Sequence, residues 1–366
     1  MTPSGSSPEL DGDVLATRTT SPVTRSAGRS SLKTHWFDHW HPDLDGALAV
    51  LPEMETCPNE LYRLIGDPED SLVPKRIALL TDGDQPMAVI ALRRELRRWT
   101  PVTTWVVPGA LFPIDDGNIL RALRALRPLD APLFMSWWRQ SVAPPYSLRM
   151  TLAALPTYQL ELTSDYEALW QETGLMSDIR KARKRCVRFN LEINAPGAAE
   201  WTIRSWGQKW ATAGLAEQPE MRDKLIVARY WEQRGRHVCL SLRDGDQFIA
   251  GDTSFVHGRD LVGLNHYRDE GYGRCGLGNR LLDAATSFAA ERDFRYHDFG
   301  GGYEYKKQWA RQIGTRWQFT FDASRIPVWT VANKMWHQMR RVRDHLRSWQ
   351  AGNYCLTSMI YTLISV

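Results

Sequence analysis

The chain has 366 residues, 43% of them hydrophobic and 24% charged, which is typical of a globular protein with room for two domains. No apolar run approaches the ~20 residues of a membrane span, and the five cysteines show neither metal-ligand nor redox-motif spacing. The composition therefore excludes a membrane-spanning or disulfide-rich protein and favours a cytoplasmic one, while the net charge of +4 permits a phosphorylated or RNA partner. Residues 1–32, rich in Ser, Thr, Pro and Gly, are predicted to be a disordered leader.

The first half of the remaining chain is predicted to be an α/β unit. Short helices are expected between Trp36 and Leu64, and two apolar runs around Asp82-Gly83-Asp84-Gln85 are typical of a β-hairpin. The run Val102–Val107 predicts another strand. A helix over Ile119–Leu126 and a short strand over Leu133–Ser136 complete the unit.

The middle of the chain carries helical signals and positive charge. Ser164-Asp165-Tyr166-Glu167 has the spacing of a capping box that opens a helix. The basic run Arg180–Arg188, which includes Arg183, has two interpretations: a solvated helix face, or a site that binds the phosphates of a cofactor or of RNA. Trp201, Trp206 and Trp210 form an apolar stripe that predicts the core side of a second helix.

The most informative stretch is a strand, a glycine-rich turn, a helix and a second strand. The strand Leu261–Tyr267 leads into Gly271–Asn279, a helix is predicted over Arg280–Glu291, and Tyr296–Phe299 follows. Such a turn presents backbone N–H groups at the positive end of a helix, where an anion binds. The alternative is a tight connection that needs glycine for its backbone conformation.

Three landmarks of the first half recur in the second at nearly one offset. Asp-Gly-Asp-Gln recurs 162 positions on (244 minus 82), Gly-Asn 161 positions on (278 minus 117), and a strand 163 positions on (296 minus 133). This spacing predicts duplication of one α/β unit. The first copy has prolines and acids where the second has glycines and Arg274, so the second copy is expected to be the active one.

Taken together, the basic run, the hairpin around Asp244-Gly245, the segment Gly276–Leu282 and Asp298-Phe299-Gly300 with Tyr305-Lys306 resemble the GNAT acyltransferase superfamily. The resemblance is closest to the branch with two tandem units, which includes cellulose-biosynthesis-type acetyltransferases and Fem-type peptidyltransferases. The superfamily's phosphate loop begins with Gln or Arg, where this chain has Gly273 and then Arg274.

The resemblance implies an α+β (α/β-like) fold of two tandem GNAT-like units with mixed, centrally splayed sheets. We expect a degenerate N-terminal unit over residues 33–160 and a catalytic unit over residues 161–325. Residues 326–366 are predicted to form an amphipathic helix and tail, which either packs on its own domain or touches a membrane surface. The sequence leaves the oligomeric state open.

The resemblance also implies an acyltransferase that moves an acyl group from acetyl-CoA or another acyl-CoA to an amine or hydroxyl of a small molecule or glycan. No metal is expected. Two alternatives stay open: a Fem-type enzyme that uses aminoacyl-tRNA, and a non-catalytic binding protein of the same fold. The expected site residues are these: catalytic Asp298, His266, Tyr305 and Glu304; cofactor-binding Asn265, Arg274, Gly276, Gly278 and Asn279; substrate-binding Lys306 and Arg183.

Overall fold

The computed structural model describes residues 32–54, 56–67, 73–95, 98–103, 106–107, 112–114, 118–126, 129–138, 150–212, 218–301 and 304–321. The predicted leader, apart from Leu32, and the predicted C-terminal helix and tail lie outside this part of the chain. In the described residues, no helix is both long enough and apolar enough to cross a membrane.

The described residues form twelve strands and eight α-helices. The first nine elements are β1 Lys33–Phe37, α1 Pro42–Leu48, α2 Asn59–Gly66, β2 Lys75–Asp82, β3 Gln85–Glu95, β4 Arg98–Pro101, α3 Ile119–Ala125, β5 Leu133–Trp138 and β6 Met150–Glu161. Two helices follow, α4 Tyr166–Glu172 and α5 Met176–Arg185. The last nine are β7 Asn190–Ile193, α6 Ala198–Thr212, α7 Gln218–Gln233, β8 His237–Asp244, β9 Gln247–His257, β10 Asp260–Arg268, α8 Leu277–Ala290, β11 Tyr296–Gly301 and β12 Arg311–Phe321.

The element order shows the predicted duplication directly. Both halves run strand, two helices, three strands, helix and two strands, with α4 and α5 inserted between them. The hairpin β2–β3 matches β8–β9 at an offset of 162 (237 minus 75), and β6 matches β12 at 161 (311 minus 150). The tandem mixed α/β architecture expected from the sequence is therefore confirmed.

The two halves share one twelve-stranded sheet, in the order β1-β2-β3-β4-β5-β12-β6-β11-β10-β9-β8-β7. The final strands of the halves are exchanged: β12 pairs with β5 of the first half, and β6 pairs with β11 of the second. β6 and β12 also pair with each other over most of their length. The predicted domain boundary at residue 160 stays a prediction. It falls near the end of β6, which ends the first half of the chain but pairs with β11 of the second half.

Helices cover both faces of the second half of the sheet. Leu261 of β10 packs with Leu277 and Leu281 of α8, on a surface that we call the α8 face. Its neighbour Val262 packs in a different cluster with Ile203 of α6 and Leu225 of α7, on the α6–α7 face. Successive residues of a strand point to opposite faces, so this alternation fixes the orientation of β10.

The predicted strand at Val102–Val107 is wrong in its described residues. β4 lies just before this run, at Arg98–Pro101. The backbone N–H groups of Val106 and Val107 donate to the Thr103 carbonyl at 3.3 and 3.2 Å, which closes a turn. Val102 is fully buried, so the run is apolar because it packs in the core.

The predicted capping box is also wrong. The N-cap of α4 is Asp165, whose Oδ1 accepts a hydrogen bond from the Ala168 N–H at 3.1 Å. The Glu167 carboxylate instead accepts from Arg183 Nη1 at 2.5 Å, because the tertiary contact with α5 takes it away from the helix end.

A buried ionic cluster joins the first half to α7. Arg93 of β3 donates from Nε to Glu95 Oε1 and from Nη1 to Asp223 Oδ2, both at 2.8 Å. Lys75 Nζ lies 3.8 Å from Asp223 Oδ1 and donates to the Ile65 carbonyl at 2.7 Å. The side chains of Arg93 and Asp223 are each 1% exposed, so water does not solvate either charge.

We predict that Asp223→Ala destabilises the protein by about 3–5 kcal/mol, because it leaves Arg93 as a buried and only partly paired charge. The free energy of unfolding from a urea titration measures the effect. Asp178→Ala, which removes an exposed i,i+3 pair with Lys181, is the matched control and should change stability by less than ~0.5 kcal/mol. Equal losses of stability in the two variants would contradict this role of the buried ionic cluster.

Candidate active site

Strands β10 and β11 separate after a short parallel pairing. The register joins Asp260–Val262 to Tyr296–Asp298 and stops there. β10 continues to Arg268 beside β9 alone, while β11, which pairs with β6 from Tyr296 onwards, continues beside β6. At the start of the opening the backbones are close, since a Cβ on Gly263 would lie 3.2 Å from the Asp298 carbonyl oxygen. The opening is the central splay that the family resemblance implies.

A β-bulge at the same point reorients the strand. Gly263 lies opposite Ser254, but Asn265 lies opposite Thr253, so Leu264 is an extra residue in β10. Leu264 packs with the α6–α7 cluster, and Asn265 Oδ1 accepts from Lys224 of α7 at 3.0 Å. Two successive residues thus face α6 and α7. Because of this shift, His266 points to the α8 face.

His266 is paired with a carboxylate on the neighbouring strand. Its Nδ1 lies 3.1 Å from Asp252 Oδ2, and the Ser254 hydroxyl donates to the other oxygen of Asp252 at 3.2 Å. The imidazole is 42% exposed and the carboxylate 19%, so solvent and ligands reach the ring. The His266 Nε2 lies on the side of the glycine turn, 3.7 Å from where a Cβ on Gly278 would be. A carboxylate on Nδ1 leaves Nε2 for proton transfer.

The α8 helix begins beside this pair with an open end. Its N-cap, Gly276, has φ 76° and ψ 34°, a left-handed conformation that glycine adopts without strain. No side chain caps the helix, and its first turn carries no acid. Gly276, Gly278 and Asn279, predicted from the sequence, are the N-cap and the second and third residues of this 14-residue helix. Open N–H groups and the helix dipole favour an anion here.

Two arginines, Arg268 and Arg274, lie near the open end, one in space and one two residues before Gly276 in the chain. Arg274 is exposed in the 3-10 turn Glu270–Cys275, and its carbonyl accepts from Arg185 Nη1 at 3.0 Å. Arg268 Nη1 lies 3.4 Å from the position of a Cβ on Gly278. Arg268 was not among the predicted site residues, although its spacing of two from His266 on one strand places both on the same face.

Asp298 lies at the splay but on the opposite face from His266. Its parallel partner Val262 belongs to the α6–α7 cluster, so the Asp298 side chain faces α6 and α7. The residue is fully buried, and Gln159 Nε2 donates to its Oδ2 at 3.0 Å. The structure therefore does not bring the two predicted bases together in one constellation.

Asn265, predicted to bind cofactor, also faces α6 and α7. Its Nδ2 is buried and has no hydrogen-bond partner among the described residues. The Lys224 ammonium that holds its Oδ1 also contacts Glu220 Oε1 at 3.0 Å and lies 3.7 Å from the Trp206 ring centroid. Burial lowers the pKa of Lys224, against the opposing effect of Glu220. The Asn265 side chain is thus a buried donor facing away from the glycine turn.

Arg183 and Lys306 have partners within the protein. Arg183 donates to both oxygens of the buried Asp283 carboxylate, at 2.8 and 2.7 Å, and to Glu167. These contacts tie α4, α5 and α8 together and favour a structural role. The Lys306 ammonium donates to the Phe299 carbonyl. A role for either residue in substrate binding stays a prediction.

Glu304 and Tyr305 lie in a 3-10 helix, Glu304–Gln308, that follows β11. Their side chains are outside the described residues, so their predicted catalytic roles stay predictions. In the described part of the chain, no cluster of three or more His, Cys, Asp or Glu side chains could hold a metal ion.

Residues 148–308 match the family described as acetyltransferase (GNAT) domain. The match makes these residues similar to a GNAT domain, and we call residues 148–308 the GNAT domain. The match begins at β6 and ends in the 3-10 helix after β11, so it contains the splay, the Asp252–His266 pair and the open end of α8. A search of curated proteins gave no match.

Solved structures with a similar arrangement include FemX, with 10% identity, a TM-score of 0.41, and coverage of 78% of this chain and 96% of that one. L-PGS from Bacillus licheniformis has 12% identity and a TM-score of 0.46, over 80% and 94% of the two chains. A tandem GNAT protein from the clavulanic acid biosynthesis pathway has 8% identity and a TM-score of 0.45, over 79% and 98%. All three TM-scores are below 0.5.

The GNAT domain also contains two buried histidines whose protonation opposes folding. Burial lowers the pKa of His297 to about 4, although Asp252 and Asp298 oppose the shift, and burial alone lowers the pKa of His237 to about 4. His297 is 2% exposed and lies 3.4 Å from the Thr286 hydroxyl of α8. Both rings are therefore neutral in the folded protein near pH 5.

We predict that stability falls between pH 6.5 and pH 4. In this range the unfolded chain binds a proton at each of the two histidines and the folded chain does not. This difference lowers the free energy of unfolding by about 2 kcal/mol per histidine at pH 5. Urea titrations at pH 7.5 and pH 5 measure the loss. His297→Gln should reduce the loss of stability between pH 7.5 and pH 5 by the contribution of one histidine. His35→Gln, at an exposed position, should leave that loss unchanged. Equal pH dependence in both variants would overturn the assignment.

Proposed function

We propose that the GNAT domain transfers an acyl group from acyl-CoA, with acetyl-CoA the simplest donor, to an amine or hydroxyl of a small molecule or glycan. The observation that carries the proposal is the Asp252–His266 pair next to the uncapped end of α8, at the splay of β10 and β11. Acyl-CoA, when bound, supplies an acyl group on a thioester. Residues of this chain bind the donor and move the proton.

The donor's pyrophosphate fits the open end of α8. The first N–H groups of the helix point at the site, Arg268 and Arg274 add positive charge, and no acid of the first turn repels an anion. Gly276 and Gly278 leave space for a close approach to the backbone. Asn279 is the third helical residue, within the turn where the dipole acts.

His266 is the group best placed to move a proton. An amine acceptor is mostly protonated at neutral pH, and a hydroxyl must lose its proton as it attacks, so a base is needed in either case. Asp252 holds Nδ1 and thereby keeps Nε2 in the form that accepts a proton. The edge of β10 beyond Val262 has no β11 partner in the register, so its backbone is open to a developing oxyanion.

Asp298 and Tyr305 complete the proposal. Asp298 faces α6 and α7 at the same opening, where it fits a role in holding the acceptor or in acting as an alternative base. Tyr305 would protonate the departing thiolate, as the family resemblance implies. Glu304 and Lys306 are further candidates from the same resemblance.

One observation favours aminoacyl-tRNA as an alternative donor. Five basic side chains, Arg180, Lys181, Lys184, Arg185 and Arg188, are exposed on and just after α5, while Ile179 and Ala182 are buried. A solvated cationic face of this kind suits a nucleic-acid backbone as well as CoA phosphates. A cytoplasmic location fits both donors and stays a prediction, as does contact of the C-terminal tail with a membrane.

We predict that acetyl-CoA raises the melting temperature saturably, because a ligand that binds only the folded state stabilises it. Arg268→Ala should weaken binding about tenfold or more, since a hydrogen bond to a charged group contributes about 1.5–3 kcal/mol. Arg229→Ala is the matched control: this arginine is exposed on α7, with its nearest carboxylate on α6. ATP serves as a nucleotide control. No shift with acetyl-CoA would refute the donor and direct the search to charged tRNA.

We predict that His266→Gln lowers acceptor-dependent release of CoA thiol by about 10²–10⁴-fold, the usual contribution of a general base. The donor-induced thermal shift should be retained, because the phosphates bind at α8. His39→Ala, at an exposed position of the first half, should keep full activity. Full activity of His266→Gln together with loss of activity in Asp298→Asn would assign the base to Asp298. Unchanged turnover in both variants would refute general-base catalysis at the splay.

A further inference from the structure

Two cysteines that are 89 residues apart meet beside the glycine turn. Cys186 directly follows α5, and Cys275 ends the 3-10 turn that precedes Gly276. The Cys186 Sγ donates to the Cys275 carbonyl at 3.4 Å. Both cysteines are free thiols, with Cys186 buried and Cys275 partly exposed. No role in acyl transfer uses either of them.

The surrounding packing holds the two backbone segments together. A Cβ on Gly276 would lie 3.3 Å from the Ala182 Cβ and 3.6 Å from its Cα, so the turn rests directly on α5. The Arg185 guanidinium donates to the Arg274 carbonyl at 3.0 Å, one residue before each cysteine. Three neighbouring contacts thus hold the backbone segments of Cys186 and Cys275 together.

We propose that Cys186 and Cys275 form a redox-sensitive thiol pair that a peroxide closes to a disulfide. The partly exposed Cys275 thiolate attacks hydrogen peroxide, which gives a sulfenic acid and hydroxide. The Cys186 sulfur then displaces the oxygen, the S–S bond forms and water leaves. Two thiols are oxidised and one peroxide is reduced to two waters. Burial raises the pKa of Cys186 to about 11, so at neutral pH it stays a thiol and reacts second.

Closure of the pair would act on the open end of α8. An S–S bond of about 2.05 Å needs the sulfurs closer than van der Waals contact. There is little room for the turn to move directly towards α5, because even a Cβ on Gly276 would lie 3.3 Å from the Ala182 Cβ. We expect the turn to rotate instead, together with the first N–H groups of α8, which follow Gly276. If acyl-CoA binds there, as proposed above, the disulfide weakens donor binding.

The first test is non-reducing peptide mapping of the full chain after treatment with a small excess of hydrogen peroxide. We expect one cross-linked peptide pair that joins Cys186 to Cys275, lost on addition of dithiothreitol. Cys186→Ser should instead leave a sulfenic acid at Cys275 that dimedone traps. Cys239→Ser, at a buried cysteine of β8, should retain the cross-link. A cross-link between other cysteines, or oxidation of Cys275 without a cross-link, would overturn the proposal.

The second test measures acetyl-CoA binding by thermal shift before and after oxidation. We expect the dissociation constant to rise about tenfold in the oxidised protein and to recover on reduction, with no change in peroxide-treated Cys186→Ser. An unchanged constant in a fully cross-linked protein would refute the effect on the turn. Absence of binding to the reduced protein would refute the acyl-CoA donor, and the peptide map would still decide the thiol pair.

Discussion

The extra residue Leu264 in strand β10 determines the geometry of the site. With Leu264 inserted, both it and Asn265 face α6 and α7, and His266 moves to the α8 face. Only on that face can His266 meet both Asp252 and the glycine turn. The bulge also lies just after the point where the pairing of β10 with β11 ends, so His266 and the unpaired edge of β10 are close together in the strand.

The exchange of β6 and β12 makes the two halves interdependent. Each half ends in a strand that completes the sheet beside the other half, and the two strands pair with each other. The Arg93–Asp223 contact adds a buried charge pair across the same junction. Neither the first half nor the second therefore has a complete sheet alone. The first half thus has a structural role, since it supplies β5, with which β12 pairs.

The position of the glycine turn also connects the proposed chemistry to the proposed thiol pair. Gly276 must adopt a left-handed conformation to open the helix, and α5 packs against it at the same time. Cys275 and Cys186 are adjacent for that reason, since the turn and the end of α5 share one contact surface. A covalent change on one side of the surface is therefore expected to alter the anion site on the other.

Local sequence patterns predicted many elements of this protein, the repeat and the glycine turn that precedes α8. The two Asp-Gly-Asp-Gln turns, the periodic face of α8 and its glycines act over a few residues, where backbone preference and hydrophobic spacing decide the structure. Local patterns gave wrong predictions where contacts between distant residues decided the structure. Glu167 pairs with Arg183 and does not cap its own helix, and Val102 is apolar because it is buried in a turn. Only the tertiary structure decided the Asp252–His266 pair, the separation of Asp298 from it and the meeting of Cys186 with Cys275. All three depend on strand register and helix packing between residues far apart, which no local pattern encodes.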